Sequence, residues 1–147
     1  MNVVILYDSK FGNTQHVADA IGAALRPAHT VELRTPTQGL PDPSSIDLLF
    51  VGGPTHAHGA SSPLKTTLGT LPKGSLNRTR TATFDTRFDM PRLLTGSAAN
   101  SATKLLERAG ASIVAPPESF FVSRDDPPVL EAGELKRAAD WAREVVG

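Results

Sequence analysis

The chain has 147 residues, a length that suits one domain with a full hydrophobic core. Its 15 basic and 15 acidic residues balance, so bulk charge points to no polyanionic partner such as nucleic acid. There is no cysteine, which excludes a disulfide scaffold, a cysteine nucleophile and a thiolate metal site.

No apolar run approaches the roughly 18–20 residues that span a bilayer, so no membrane insertion is expected. The first residues show neither the basic region nor the apolar stretch of a signal peptide, and the expectation is a cytoplasmic protein. Charge is uneven along the chain: residues 62–108 hold eight Lys/Arg and three Asp/Glu, and the flanking segments compensate.

Val3–Tyr7 is apolar at successive positions and reads as a strand buried on both faces. Val17, Ala20, Ile21, Ala24 and Leu25 then mark one face of a helix that Pro27 closes. Thr30–Thr35 alternates as a short strand near an edge, and a Pro/Gly/Ser-rich loop runs from Pro36 to Ser45. Asp47–Val51 is a second buried strand, ending in Gly52-Gly53. A short helix is expected over Pro63–Leu71, with Pro63 in its first turn.

Thr79–Phe84 reads as a strand, and Ala98–Ala109 as a helix with Ser97 as its N-cap. Ser112–Ala115 and Ser119–Val122 read as strand pieces split by Pro116-Pro117. Leu135, Ala138, Ala139, Ala142, Val145 and Val146 mark a closing helix. Alternation of this kind predicts a parallel sheet with helices on both faces. Ligands in such sheets sit at the carboxyl ends of the strands, where strand order reverses. For the order 2-1-3-4-5 the loops that matter follow Tyr7, Gly53 and Phe84.

The first loop, Ser9-Lys10-Phe11-Gly12-Asn13-Thr14, joins a buried strand to a helix N-terminus, where free N–H groups and the helix dipole favour an anion. Ser9, Asn13 and Thr14 add short donors, and Gly12 permits a nest of N–H groups. Thr14 or Asn13 is also a candidate helix cap. The loop lacks the spacing and lysine of a Walker A motif, and it is not GxGxxG. A single phosphate held without metal fits it; so does an ordinary capped turn, and the loop alone leaves both open.

The second loop, Gly52 to Pro63, places Gly52 and Gly53 where a ligand could approach the backbone closely. His56 and His58 lie two residues apart with no neighbouring carboxylate, weak evidence for a metal. The third segment, Phe84 to Ala99, is long for a compact fold, and long loops often carry function. Asp85 ends the strand, and Arg87 and Phe88 are placed to reach over the same cavity. Asp85 and Arg87 would serve equally as a local ion pair.

Together the three loops resemble those of the flavodoxin family. "SKFGNT" is similar to the flavodoxin phosphate loop, and His58-Gly59 falls where flavodoxins often carry an aromatic followed by Gly. "LTGSAANSATKLLERAGA" and "ADWAREV" resemble the fourth and last helices. The blocks "GGPTH" and "FDTR" are a closer likeness to short flavodoxin-like proteins of actinobacteria. The resemblance covers nearly the whole chain.

It implies one flavodoxin-like α/β domain over residues 1–147, a three-layer sandwich on a five-stranded parallel sheet of order 2-1-3-4-5. It also implies one noncovalent FMN, with its phosphate on Ser9, Lys10, Phe11, Gly12, Asn13 and Thr14. The ring would lie between Pro54, Thr55, His56, Ala57, His58 and Gly59 on one side and Asp85, Thr86, Arg87 and Phe88 on the other. The peptide at His58-Gly59 or Gly59-Ala60 would turn to meet the reduced ring.

Flavodoxins are acidic and usually sandwich the ring between Trp and Tyr. This chain is neutral, with its only Trp at Trp141 and its only Tyr at Tyr7. Its ring site offers His56, His58, Arg87 and Phe88 instead. Cations there are expected to raise the reduction potential, with His58 adding pH dependence. The implied role is an electron carrier between redox partner proteins, monomeric, with no catalytic residue or metal of its own. The alternatives are a small NAD(P)H-, quinone- or porphyrinogen-linked oxidoreductase, and a binding module of the same fold that has lost FMN.

Overall fold

The computed structural model describes residues 1–55 and 59–147. Six strands form one parallel sheet: β1 (Asn2–Tyr7), β2 (Thr30–Arg34), β3 (Leu48–Pro54), β4 (Arg80–Phe88), β5 (Ser112–Ile113) and β6 (Glu118–Val122). The helices among the described residues are α1 (Asn13–Leu25), α2 (Ser62–Gly69), α3 (Arg92–Thr95), α4 (Ala98–Arg108) and α5 (Glu134–Val146), with a 3-10 turn over Pro43–Ser45. None is long and apolar enough to cross a membrane.

Strand order is β2-β1-β3-β4-β5, and β6 also pairs with β4. β5 takes the start of β4, through Arg80↔Ser112 and Thr81↔Ile113. β6 takes its end, from Phe84↔Glu118 to Phe88↔Val122. The expected fifth strand is therefore present in two pieces. Pro116 and Pro117 lie in the gap, where they lack the N–H groups a ladder needs. β1 and β3 are central and apolar on both faces because helices cover both sides.

α1 and α5 pack on one face around Phe50, Phe84, Phe120 and Trp141. Trp141 meets the three Phe rings edge-on, with centroids 5.5, 6.1 and 5.8 Å away. Each such pair adds about 0.5–1.5 kcal/mol beyond burial. The sole Trp is thus a core residue. α2 and α4 pack on the other face, around Leu49, Val51, Leu64, Leu68, Leu76 and Leu106.

Two boundaries differ from the sequence reading. β4 does not stop at Phe84 but runs to Phe88, so Asp85, Thr86, Arg87 and Phe88 are strand residues. Its partner is the reason: β6 supplies a ladder for those residues, a pairing that local sequence does not show. The segment expected as loop also contains α3, a single turn between Pro91 and Gly96.

Candidate functional site

The site forms at the carboxyl ends of β1, β3 and β4. Gly12 sits at the N-cap of α1 with φ +89°, and an added Cβ there would meet nothing within 4 Å. Only the left-handed backbone asks for glycine at this turn. No side chain at the cap position holds the helix end, so the expected cap by Asn13 or Thr14 is corrected. Ser9 does part of that work from outside: its Oγ accepts from Gly12 N (3.1 Å) and, more weakly, from Gln15 N (3.3 Å).

The N–H groups of Asn13 and Thr14 have no partner among the described residues. They face the situation of every helix start, with unsatisfied donors at the positive end of the dipole. The side chains are committed elsewhere. Asn13 Nδ2 donates to the Pro128 carbonyl (2.8 Å), and Thr14 Oγ1 shares a hydrogen bond with Thr86 Oγ1 (3.0 Å). The bonds tie the first loop to the turn after β6 and to β4.

Beside this helix start opens a cavity of about 420 Å³, a size that suits one small-molecule ligand. Of the residues expected at the site, Lys10, Phe11, Asn13, Thr14, Pro54, Thr55, Thr86, Arg87 and Phe88 line it. Ser9 faces a shallower neighbouring depression with Asp8, Ser61 and Lys65. Gly59 is buried, and a Cβ on it would press on Ser101 Oγ at 2.8 Å. His56, Ala57 and His58 lie outside the described residues.

Asp85 is fully buried and does not line the cavity. Its Oδ2 accepts from Ser97 Oγ (2.5 Å) and Ala99 N (3.1 Å), so it anchors the start of α4. Ser97 is the expected N-cap, accepting from Asn100 N at 3.2 Å. Asp85 Oδ1 has no hydrogen bond among the described residues and lies 3.9 Å from Arg87 Nε, the local ion pair weighed from the sequence. The Arg87 guanidinium is held below its usual pKa, because burial outweighs the attraction of Asp85.

Gly52 and Gly53 serve packing rather than ligand approach. A Cβ at Gly52 would lie 2.2 Å from the Phe84 ring, and one at Gly53 would lie 3.0 Å from Leu64. The sequence reading also missed Met90, Leu94, Thr95, Val122 and Pro128 in the cavity wall. The leucines between Pro91 and Gly96 were a usable signal for the first three. Nothing local marks Val122 or Pro128, which reach the site only through β6 and the turn after it.

The cavity lining therefore has two unlike parts. One offers free N–H groups at the start of α1 and the ammonium of Lys10, which rests 5.2 Å from the Phe11 ring centroid. The other has apolar walls at Phe88, Met90 and Leu94 and the cation of Arg87.

The sequence matches no protein-family model and no curated protein. Among solved structures it is similar to oxidised flavodoxin 2 of Bacillus cereus, with 18% identity, 99% of this chain and 98% of that one covered, and a TM-score of 0.79. Flavodoxin 1 of the same organism is similar at 18% identity, 99% and 97% coverage and a TM-score of 0.76. A flavodoxin, WrbA-like protein from Agrobacterium tumefaciens is similar at 16% identity, 98% and 94% coverage and a TM-score of 0.68. At these identities the likeness shows the fold: this chain has the flavodoxin fold from end to end.

Proposed function

We propose that this flavodoxin-fold chain binds one FMN and carries electrons between redox partner proteins in the cytoplasm. The observation that carries this reading is the two-part lining of the cavity. A phosphate suits the free N–H groups of Asn13 and Thr14, with Lys10 beside them. A flat, largely apolar ring suits the walls built by Pro54, Phe88, Met90 and Leu94. FMN would supply the redox chemistry; the protein binds it, limits its access to water and sets its potential.

Arg87 belongs to the last of these tasks. A cation in the wall favours the form of a ligand that has gained negative charge, and burial strengthens that preference. The first loop fixes the phosphate end of the ligand, and β4 fixes where Arg87 stands relative to it.

Purified protein tests the proposal through its visible spectrum, before and after FMN is added to the stripped protein. Flavin absorption and stoichiometric quenching of FMN fluorescence are expected. Absence of both, with the protein folded, overturns the reading in favour of a fold that no longer holds flavin. Assaying NAD(P)H consumption with a quinone acceptor then separates a carrier from an enzyme: a carrier shows no turnover without a separate reductase.

A further inference from the structure

The donors of Arg87 are divided unevenly. Nε donates to Ser119 Oγ at 2.8 Å. Nη1 donates to the Met90 carbonyl (2.5 Å) and Thr95 Oγ1 (3.3 Å), with the Phe88 carbonyl at 3.4 Å. Nη2 donates to no described residue, although the side chain is only 8% exposed. The guanidinium also lies over the Phe121 ring, 5.2 Å from its centroid.

These contacts differ in what they can fix. Asp85 Oδ1, at 3.9 Å, is beyond hydrogen-bonding distance, so it attracts the cation without setting its rotation. The Phe121 face sets the plane but not the angle within it. The Met90 carbonyl and the Thr95 hydroxyl belong to the segment around α3, which buries none of its residues, and the Phe88 carbonyl, the most distant acceptor at 3.4 Å, ends β4. Ser119 is the close acceptor within a strand: it is 2% exposed, stands in β6 and is paired in register with Asp85. Its Oγ also accepts from Arg92 Nη2 (3.2 Å), which donates to the Pro117 carbonyl as well (3.1 Å). One hydroxyl thus gathers two guanidinium groups.

An arginine held at Nε and at Nη1, on opposite sides of its guanidinium, and stacked on a ring has only Nη2 without a partner among the described residues, and Arg87 lines the cavity. We propose that Ser119 is the positioning residue of this site: by holding Nε, its hydroxyl turns Nη2 of Arg87 toward the cavity, where it meets a ligand group that carries or gains negative charge. The proposal rests on the FMN reading for the identity of that ligand and on the geometry alone for the aiming.

Two readouts separate those dependencies. In the ligand-free protein, the Arg87 Nε–H seen by ¹⁵N NMR should exchange slowly with water. Ser119→Ala should speed that exchange by at least about tenfold, the equivalent of one charge-assisted hydrogen bond, and Ser119→Thr should keep it slow. With FMN bound, Ser119→Ala should bind the oxidised form as wild type does. Its preference for the reduced form should fall by about tenfold, a drop of about 30 mV for a two-electron couple. Ser119→Thr should restore the wild-type value.

Exchange that is equally fast in wild type and Ser119→Ala overturns the proposal. So does a Ser119→Thr variant, folded by circular dichroism, that behaves as Ser119→Ala, because packing rather than the hydroxyl would then matter. Equal potentials in all three proteins also overturn it. If wild type binds no FMN, the functional reading fails, and the exchange measurement still decides whether Ser119 aims Arg87.

Discussion

A methyl group added at Gly52 would lie 2.2 Å from the ring atoms of Phe84, far inside contact distance. Phe84 cannot retreat: it is fully buried, with Phe120 and Trp141 packed against it at centroid distances of 6.3 and 6.1 Å. Gly52 itself lies in β3, hydrogen-bonded between β1 and β4, so the backbone has no room to yield either. Gly52→Ala is therefore expected to cost about 3 kcal/mol, at the upper end of ordinary overpacking. Urea denaturation checks it through the shift in midpoint. Unchanged stability would mean that the aromatic cluster repacks freely around the extra carbon. Gly-Gly read from the sequence as room for a ligand; that room is filled by a side chain from the next strand, which no local pattern discloses.

At the scale of elements, β6 needs its outer edge closed. α5 and the turn before it close it: the Phe121 N–H donates to the Glu134 carboxylate (2.7 Å), the Phe121 carbonyl accepts from Glu131 N (2.9 Å), and Arg137 donates to the Ser119 carbonyl. Burial pushes the Glu134 pKa up, but the Arg137 hydrogen bond, the Phe121 N–H and the Arg137 charge together bring it below its usual value. A carboxyl depressed on folding adds stability above its unfolded pKa, about 4.3, and that contribution is lost as pH falls through the folded value. Glu134→Gln should thus be less stable than wild type near neutrality, and the gap should shrink on acidification below about pH 4. Thermal melts of both proteins from pH 7 to 3 test this. A gap that stays constant would show that the ionised carboxylate is not what closes the edge.

Helices and strands with their own periodicity were legible: α1, α4 and α5 through their apolar faces, β1 and β3 through unbroken apolar runs. The extension of β4 to Phe88 was not, because Asp85, Thr86 and Arg87 are polar and become strand only by pairing with β6. The break between β5 and β6 was readable, since Pro116 and Pro117 announce it in any context. The roles of Asp85 and Ser119 were hidden for a shared reason. Each acts on a neighbour across the sheet or at a helix start, and sequence spacing does not measure that distance.

Over the whole molecule, the cavity gathers segments far apart in the chain: Lys10 to Thr14, Pro54 and Thr55, Thr86 to Thr95, and Val122 to Pro128. A ligand that fills it touches all of them only when the chain is folded, so binding adds directly to global stability. For FMN at about a hundred times its dissociation constant the gain is about 2.7 kcal/mol, a rise of roughly 5–10 °C in melting temperature for a chain of this size. Riboflavin presents the same ring without the phosphate. It would leave the N–H groups of Asn13 and Thr14 unmet at a helix start, forgoing charge-assisted bonds worth about 1.5–3 kcal/mol. Its dissociation constant should then be about ten- to a hundredfold weaker, and its melting shift at equal concentration should fall to about half that of FMN or less. Equal shifts for the two compounds would remove the phosphate from the start of α1 while leaving the ring in place. No shift with either would remove flavin from the cavity altogether. Inorganic phosphate separates the ends from the other side: if the helix start is the anchor, millimolar phosphate should weaken FMN by competition and leave riboflavin unaffected.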